Sequence, residues 1–525
     1  MPTAPQDISC SSRSIGPTGL GSALTTWLAC LAATALAADP PETLAEAPQL
    51  NVLMVCVDDM RADAGCYGHP QALTPHLDRL AARGMRFERA YCQQALCNPS
   101  RASLLTGRTP DSLQIWNLTK GLRSSDPNLI TLPQLFRQHG YHTRGIGKVY
   151  HNWRTADHGD PQSWSVPAVL HFARHDDDTP QVKGPLPPNE STAPRCMRLD
   201  VPDEAYFDGR IAKLAVEELQ ARGKDRKPFF LAVGFWKPHL PFNPPKKYWE
   251  LYERPATPKS AAKSSRPLID MPANPLAPKH VPALALHDSR EIMRAAGDDG
   301  LTADEVLELR HGYLAGISFL DAQLGKILDE LERQKLDQQT IIVFWSDHGF
   351  HLGEHSLWCK TSNFELDARV PLILSVPPTL TRTPPGGGVR WQAQGASQAL
   401  VELLDLYPTL AELCRLPAPP GLDGDSMVEL LQSERSDNDS RWSAAYTQHP
   451  RPNYYGNRPE AMGVSVRTAR HRYTEWRDFA TKQVLATELY DHRQDPRETD
   501  NLAAVADAAT LAELRAALER RFPRE

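Results

Sequence analysis

The chain has 525 residues, of which 41% are hydrophobic and 23% are charged, as in ordinary globular proteins. A chain of this length is expected to form one large domain and a smaller one, and its 46 prolines predict long irregular connections between regular elements. The net charge of −6 and the pI near 6.3 argue against a nucleic-acid partner held by a basic face, so an anionic ligand needs a local basic pocket.

Residues 1–38 are typical of an export signal peptide. A mildly apolar run from Leu20 to Ala38 ends in small residues, and an acidic, proline-containing stretch begins at Asp39. No later stretch is apolar for long enough to span a bilayer. We therefore expect an exported protein, periplasmic or extracellular, without stable membrane insertion; a lipid anchor at Cys30 is the alternative.

Four continuous apolar runs predict buried strands, and helical stretches lie between them. The clearest helix covers residues 302–335, where apolar residues recur at three-to-four spacing. Strands that alternate with helices predict an α/β fold with a mostly parallel central sheet sandwiched by helices. In such a sheet, ligands bind beyond the carboxyl ends of the strands. The predicted strands are residues 51–57, 229–235, 340–345 and 370–376.

A polar break at residues 432–440 predicts a domain boundary. Beyond it, two strand-like segments and an amphipathic helix predict a smaller C-terminal subdomain with an antiparallel sheet. The Pro- and Lys-rich residues 240–300 predict a long surface excursion. The predicted strands of the subdomain are 463–468 and 471–476, its helix is 511–521, and the predicted organisation is a signal peptide at 1–38, a catalytic domain at 48–432 and an α+β subdomain at 441–525.

The segment that begins at Cys97 reads Cys-Asn-Pro-Ser-Arg and is followed by Thr106-Gly107-Arg108. By composition alone it is typical of a helix start, which also favours a bound anion. The pattern resembles the signature of the formylglycine-dependent sulfatases of the alkaline phosphatase superfamily. The resemblance implies that a formylglycine-generating enzyme oxidises Cys97 to an aldehyde. Its hydrate attacks sulfur through one hydroxyl, and the second hydroxyl then expels sulfate.

Two of the predicted strands end in pairs of residues that could bind a metal ion. Asp58 and Asp59 follow the first strand, and Asp347 and His348 follow the third; alone, each pair is typical of a turn. Carboxylates that converge at strand ends repel one another unless a cation neutralises them, and their oxygens favour a hard divalent ion. Since the resemblance implies an ion beside residue 97, we expect one calcium ion bound by these four residues and Cys97. Many sulfatases have Asn at the position of His348.

The resemblance also assigns roles to basic residues, of which Lys148 and His151 follow a short predicted strand at 141–146 and His239 follows the strand at 229–235. Lys148 and Lys360 would hold the sulfate oxygens, and His151 would orient or activate the nucleophile. His239 would donate a proton to the leaving oxygen or bind the sugar, and Arg101 would fix the nucleophile. Exposed lysines and lone histidines are ordinarily structural, so these roles rest on the positions of the residues in the sulfatase pattern.

Further segments resemble the iduronate-2-sulfatase branch of this family, and the resemblance covers nearly all of residues 50–502. Two stretches, at 168–200 and 251–300, do not look close, and such stretches shape a substrate cleft. The segments that carry the branch resemblance are 57–61, 65–68, 93–97, 147–151, 237–242, 352–355, 446–452 and 462–468.

The resemblance implies a sulfatase that acts on a sulfated saccharide. The expected bond is the 2-O-sulfate of iduronate or a related uronate in a glycosaminoglycan or other polysaccharide. The alternatives are a sulfatase for another sulfated polysaccharide, such as a fucan or ulvan, a phosphonate or phosphodiester hydrolase of the same fold, and a non-catalytic carbohydrate-binding relative. The last is disfavoured because every expected catalytic position is filled.

Cysteine and histidine spacing adds two expectations. Removal of the signal peptide leaves seven cysteines, and because this number is odd, at least one stays unpaired; their spacing resembles no disulfide scaffold. His351 and His355 are four residues apart, which predicts that they share a helix face; a second metal site there is a minor alternative.

Overall fold

The computed structural model describes residues 49–151, 159–171, 195–253, 269–293, 300–381, 391, 394–432, 440–454 and 458–524. The predicted signal peptide, with Cys30, lies outside the described residues. Among the described residues, no helix is long and apolar enough to cross a membrane. The seven cysteines in this part of the chain are all free thiols.

Strands and helices alternate along much of the described chain. The strands are β1 (Asn51–Asp58), β2 (Met85–Tyr91), β3 (His142–Gly147), β4 (Phe229–Pro238), β5 (Thr340–Ser346), β6 (His351–Leu352), β7 (Trp358–Cys359), β8 (Arg369–Ser375), β9 (Gly395–Glu402), β10 (Ala444–Arg451), β11 (Ala461–Thr468), β12 (His471–Asp478) and β13 (Val484–Asp491). The helices are α1 (Pro75–Arg83), α2 (Cys97–Thr106), α3 (Pro110–Leu113), α4 (Leu132–Gln138), α5 (Phe207–Asp225), α6 (Lys246–Glu250), α7 (Ala303–Arg333), α8 (Glu365–Ala368), α9 (Pro378–Thr381), α10 (Leu406–Leu413) and α11 (Ala508–Glu519).

A seven-stranded sheet in the order β3-β4-β1-β5-β8-β2-β9 forms the centre of the fold. Six strands run in the same direction, and β8 runs antiparallel to its neighbours β5 and β2. The sheet is therefore mixed but mostly parallel, which confirms the predicted fold class. Strand β1 lies near the middle, so its carboxyl end is surrounded by the ends of β4 and β5.

Both faces of the central sheet are buried, which explains why its inner strands are continuous apolar runs. Successive side chains of β1 point to opposite faces. Leu53 and Val55 pack into a cluster that includes residues of α5 and α7, whereas Val52 and Met54 pack into a cluster that includes residues of α2, α4 and α10. Helices on both sides thus fix the position of β1 and of the residues that follow it.

The long predicted helix is confirmed as α7, within one or two residues at its ends. Its start is set by a capping box, because the Thr302 side chain accepts a hydrogen bond from the backbone N–H of Glu305 while the Glu305 side chain accepts from the N–H of Thr302. Strands β2 and β9 were not predicted from the sequence, because their polar residues interrupt the apolar pattern.

The C-terminal part contains a four-stranded antiparallel sheet in the order β10-β11-β12-β13, which confirms the predicted small sheet. The two strands predicted as neighbours, β11 and β12, are paired antiparallel. Helix α11 covers this sheet with Leu514, Ala517 and Leu518. The domain boundary at 432–440 stays a prediction, since residues 433–439 lie outside the described part.

The prediction of a surface excursion over residues 240–300 is right for residues 270–280, most of which are exposed, and wrong for the described segments on either side of them. Trp249 and Ile292 are fully buried, and Tyr252 is only 2% exposed. These apolar residues anchor the stretch to the core cluster that contains α7. The abundant prolines and lysines between the anchors produced the wrong expectation.

Candidate active site

Cys97 is the first residue of α2 and is buried below the surface at 2% exposure. Its Sγ atom lies 3.3 Å from Nε2 of His348 and 3.8 Å from Nζ of Lys148. Burial, and after it the charge of Asp58, raises the pKa of the Cys97 thiol well above its ordinary value. The unmodified side chain is therefore a neutral thiol at physiological pH and a poor nucleophile.

The residue pairs after β1 and β5 meet because these strands are adjacent and parallel, with Val57 paired to Ser346. Asp58, Asp59 and His348 are completely buried. One ligand atom from each of these three residues, together with Sγ of Cys97, forms a group in which all atoms lie within 4.8 Å of one another. The fold thus brings these predicted metal-binding residues to one place.

Asp347 lies beside this group and is held by hydrogen bonds. Its Oδ2 accepts from Nε of Arg101 at 2.8 Å, and its Oδ1 accepts from the backbone N–H groups of Asp59 and His348 at 3.2 and 3.0 Å. Arg101 also donates through Nη2 to Oδ1 of Asp58 at 3.2 Å and through Nη1 to the carbonyl of Lys148. Arg101 therefore joins two carboxylates of the site to the segment that carries Lys148.

Two buried lysines neutralise the remaining carboxylate charge. Lys148 donates to Oδ2 of Asp58, and its ammonium lies 4.9 Å from the ring centre of Trp236. Lys360 donates to both carboxylate oxygens of Asp59 at 3.0 Å. Burial opposes ionisation of Asp58, but Lys148, His239 and Arg101 together outweigh it and hold the pKa of Asp58 well below the ordinary value. At Asp59, burial outweighs the effect of Lys360 and raises the pKa.

Three histidines surround the carboxylates. Nδ1 of His348 lies 2.9 Å from the Gly349 carbonyl, so this nitrogen is assigned the proton and the unprotonated Nε2 faces Cys97. His239 has Nδ1 2.6 Å from the Leu240 carbonyl and Nε2 3.8 Å from Asp59. Both ring nitrogens of His151 are buried without a hydrogen-bond partner among the described residues. Burial, followed by the charge of Lys148, lowers the pKa of His151 well below its ordinary value.

The residues present fit a calcium ion. Calcium takes oxygen ligands at about 2.3–2.6 Å, so ligands around one ion lie up to about 5 Å apart, as the atoms of this group do. The sulfur of Cys97 stands where an oxygen of the oxidised side chain would be, which suits a hard cation better. Without an ion, three carboxylates are balanced by three cations, and Glu291 adds a further negative charge beside Lys360, so a calcium ion would give the site the positive charge that it lacks. The three carboxylates and three cations are those of Asp58, Asp59, Asp347, Arg101, Lys148 and Lys360.

A second acidic group, formed by Glu365, His492 and Glu498, also has metal-ligand geometry. Its carboxylates are already paired, because Arg472 donates to Glu498 at 2.8 Å and to Glu365 at 2.5 Å. These contacts connect α8 of the central part with the C-terminal sheet, so the group stabilises the fold and does not need an ion.

The expectation that His351 and His355 share a helix face is wrong. His351 lies in β6, and His355 lies in a turn with φ of 55°. Their rings contact each other at 3.1 Å between Nε2 and Nδ1, and the other nitrogens face Asp367 at 2.7 Å and the carbonyl of Arg497 at 2.7 Å. Each nitrogen is therefore occupied within the protein, and the pair belongs to no ligand group of the described residues.

Three residues of the site were not recognised from the sequence. Ser100 donates to the Asp347 carbonyl, and the Tyr313 hydroxyl donates to the Asp59 carbonyl at 2.7 Å. Glu291 forms an ion pair with Lys360 at 3.0 Å. Ser100 stands inside the Cys97 signature and could have been found there, whereas Tyr313 looked like one more apolar-stripe residue and Glu291 lay in the supposed surface excursion.

Comparison with known proteins gives two family matches. The family described as Sulfatase matches residues 50–415, and the family described as N-sulphoglucosamine sulphohydrolase, C-terminal, matches residues 353–524. Iduronate 2-sulfatase of Homo sapiens is 33% identical over 552 residues, which cover 93% of this chain and 98% of that protein.

Two solved structures share the fold. A structure described as a 2-O GAG sulfatase has a TM-score of 0.65 and 22% identity, with 90% of this chain and 92% of that chain covered. Phosphonate monoester hydrolase of Agrobacterium radiobacter has a TM-score of 0.67 and 23% identity, with 90% of this chain and 96% of that chain covered.

Proposed function

Because the chain belongs to the sulfatase family and is a sulfuric ester hydrolase, we propose that its substrate is a sulfated sugar. The proposed bond is the 2-O-sulfate of iduronate or a related uronate in a glycosaminoglycan or similar polysaccharide. The identity to a curated iduronate 2-sulfatase over nearly its whole length supports this choice. The observation that carries the chemistry is the position of Cys97 between His348 and Lys148, next to buried carboxylates.

In this proposal, Cys97 is oxidised to formylglycine by a formylglycine-generating enzyme, and the hydrated aldehyde supplies the nucleophile. Calcium, when bound, supplies a Lewis acid that polarises the sulfate group. Arg101 fixes Asp347 and Asp58, and thereby the geometry around residue 97. Lys148 and Lys360 exchange part of their contacts with the carboxylates for contacts with sulfate oxygens.

The two partly accessible histidines handle protons. His151, which lacks a hydrogen-bond partner among the described residues, is free to accept a proton from the nucleophile. His239 is 22% exposed and presents Nε2 toward Asp59, so this atom is the one that can reach the leaving oxygen. Burial, followed by the charge of Lys360, lowers the pKa of His239, and the negative charge of a bound substrate acts in the opposite direction.

The substrate proposal is tested with the matured enzyme and a panel of sulfated saccharides. We expect release of sulfate from 2-O-sulfated uronate at chain ends, and little release from fucose sulfates. Activity on fucose sulfates with none on 2-sulfated uronates would overturn the substrate while leaving the sulfatase chemistry intact. The second candidate is a phosphonate hydrolase, since such an enzyme shares the fold. The same assay with chromogenic sulfate and phosphonate esters tests it, because a phosphonate hydrolase would prefer the phosphonate ester.

Replacing His239 with alanine is expected to reduce turnover of sugar sulfates by about 10²–10⁴-fold, the usual contribution of a general acid. Turnover of an activated aryl sulfate should fall much less, because its leaving group needs little protonation. The measurement is kcat/KM for both substrates in the wild type and in His239→Ala. Equal losses on both would show that His239 is neither a leaving-group acid nor a sugar contact.

We also propose that the protein is exported and acts in the periplasm or outside the cell. The support is the sequence of residues 1–38. We also propose the division into a catalytic domain at 48–432 and a subdomain at 441–525, on the basis of the polar break at residues 432–440.

A further inference from the structure

Glu291 places a carboxylate at the edge of the candidate active site. Its Oε2 atom lies 3.0 Å from Nζ of Lys360 and is shielded from solvent. One oxygen of Glu291 lies within 4.8 Å of ligand atoms of both Asp59 and His239. An anionic oxygen of the protein thus occupies a position, against Lys360, that a sulfate oxygen would also favour.

The backbone fixes Glu291 in this position. The neighbouring Ile292 is fully buried in the core cluster that contains α7. Two residues before Glu291, Ser289 accepts a hydrogen bond from the backbone N–H of Trp358 through Oγ at 2.9 Å, and its carbonyl lies 3.9 Å from the thiol of Cys359. The segment that carries Glu291 is therefore attached to β7, immediately before Lys360.

The negative charge of Glu291 opposes the binding of a sulfate dianion at Lys360. The charges of the three carboxylates and the three cations cancel. A bound calcium ion therefore gives the site a net charge of +2, which one sulfate dianion neutralises. Glu291 adds one further negative charge beside the lysine that holds the sulfate. Because the pocket is buried and screening is weak there, this charge acts strongly on a bound dianion.

We propose that Glu291 competes with the sulfate group for Lys360 and thereby speeds the release of inorganic sulfate after hydrolysis. The inference rests on the proposed function, since it concerns the product of that reaction. In the resting site, Lys360 contacts Asp59 and Glu291. When substrate binds, the ammonium group of Lys360 leaves Glu291 and contacts a sulfate oxygen. When sulfate departs, the ion pair between Lys360 and Glu291 forms again.

The test compares sulfate affinity in the matured, calcium-loaded wild type, Glu291→Gln, Glu291→Ala and Asp288→Asn. Asp288 is the matched control, because this nearby exposed carboxylate pairs with Arg290 at 3.0 Å rather than with Lys360. Calorimetric titration with inorganic sulfate is expected to show about tenfold tighter binding in both Glu291 variants, from the loss of one nearby charge. Asp288→Asn should bind sulfate as the wild type does.

Steady-state kinetics on a chromogenic sulfate ester provide a second readout. The inhibition constant for inorganic sulfate should fall in parallel with the calorimetric constant. Unchanged or weaker sulfate binding in the Glu291 variants would overturn the inference while the proposed function stands. A wild type that binds no sulfate and hydrolyses no sulfate ester would overturn both.

Discussion

Replacing Cys97 with alanine is expected to abolish turnover, with a loss of at least about 10⁴-fold, while the chain stays folded. The loss is large because the aldehyde formed from this side chain supplies the nucleophile in the proposed reaction. The fold should tolerate the change, since within the described ranges the polar contacts of the removed sulfur are those to the side chains of His348 and Lys148 and none is to the backbone. We expect a change of about 1–2 kcal/mol in the free energy of unfolding.

The measurement combines kinetics, thermal unfolding and chemical labelling. A hydrazine reagent should label the wild-type peptide that contains residue 97, and mass spectrometry should find no label in Cys97→Ala. Cys92→Ala is the matched control, because Cys92 is also buried and its thiol donates to the Asp367 carbonyl at 3.7 Å, away from the ligand group of Cys97. Full activity in a protein that carries only an unmodified thiol at residue 97 would refute the mechanism.

Replacing Asp59 with asparagine is expected to remove the bound calcium and to reduce turnover about 10³-fold or more. The reason is the loss of several kcal/mol of transition-state stabilisation. The substitution removes one carboxylate from the ligand group and leaves the buried Lys360 without the partner that contacts it through both oxygens. Lys360 keeps its ion pair with Glu291 but loses the charge of Asp59, and weaker pairing of a buried cation is costly, so the melting temperature should fall as well.

Elemental analysis of the purified proteins checks the metal prediction. We expect one calcium ion per wild-type chain and almost none in Asp59→Asn. His492→Ala is the control, because it removes a member of the second acidic group, which Arg472 already neutralises, and the calcium content should stay at one. An active wild type without any divalent metal would contradict the prediction, and two zinc ions would favour a phosphatase-like site.

The main features of the fold could be predicted because burial on both faces requires apolar runs. Strands β1, β4 and β5 are such runs, so their existence and type were readable. Strands β2 and β9 lie at one side of the sheet and contain polar residues, so their sequences lack the continuous apolar run from which a buried strand is predicted. The antiparallel direction of β8 also could not be predicted, because direction depends on the path of the connections and leaves no trace in local composition.

The candidate site was predictable where chemistry is written in short motifs. The residues after β1 and β5 were recognised because acidic side chains end apolar strands, and Cys97 because its neighbours form a signature. The contacts between them were not predictable. That Asp347 faces Arg101, and that Glu291 reaches Lys360, depends on tertiary packing across about 70 to 250 positions of the chain.

The burial of Cys97 imposes an order of events during synthesis. At 2% exposure, and with His348 and Lys148 against its sulfur, the thiol cannot enter the pocket of another enzyme once the protein has folded. The proposed oxidation of this residue therefore has to take place while the segment is still extended, before α2 docks against the sheet. Folding and the proposed oxidation then compete in time, and a molecule that folds first keeps an unmodified thiol at residue 97.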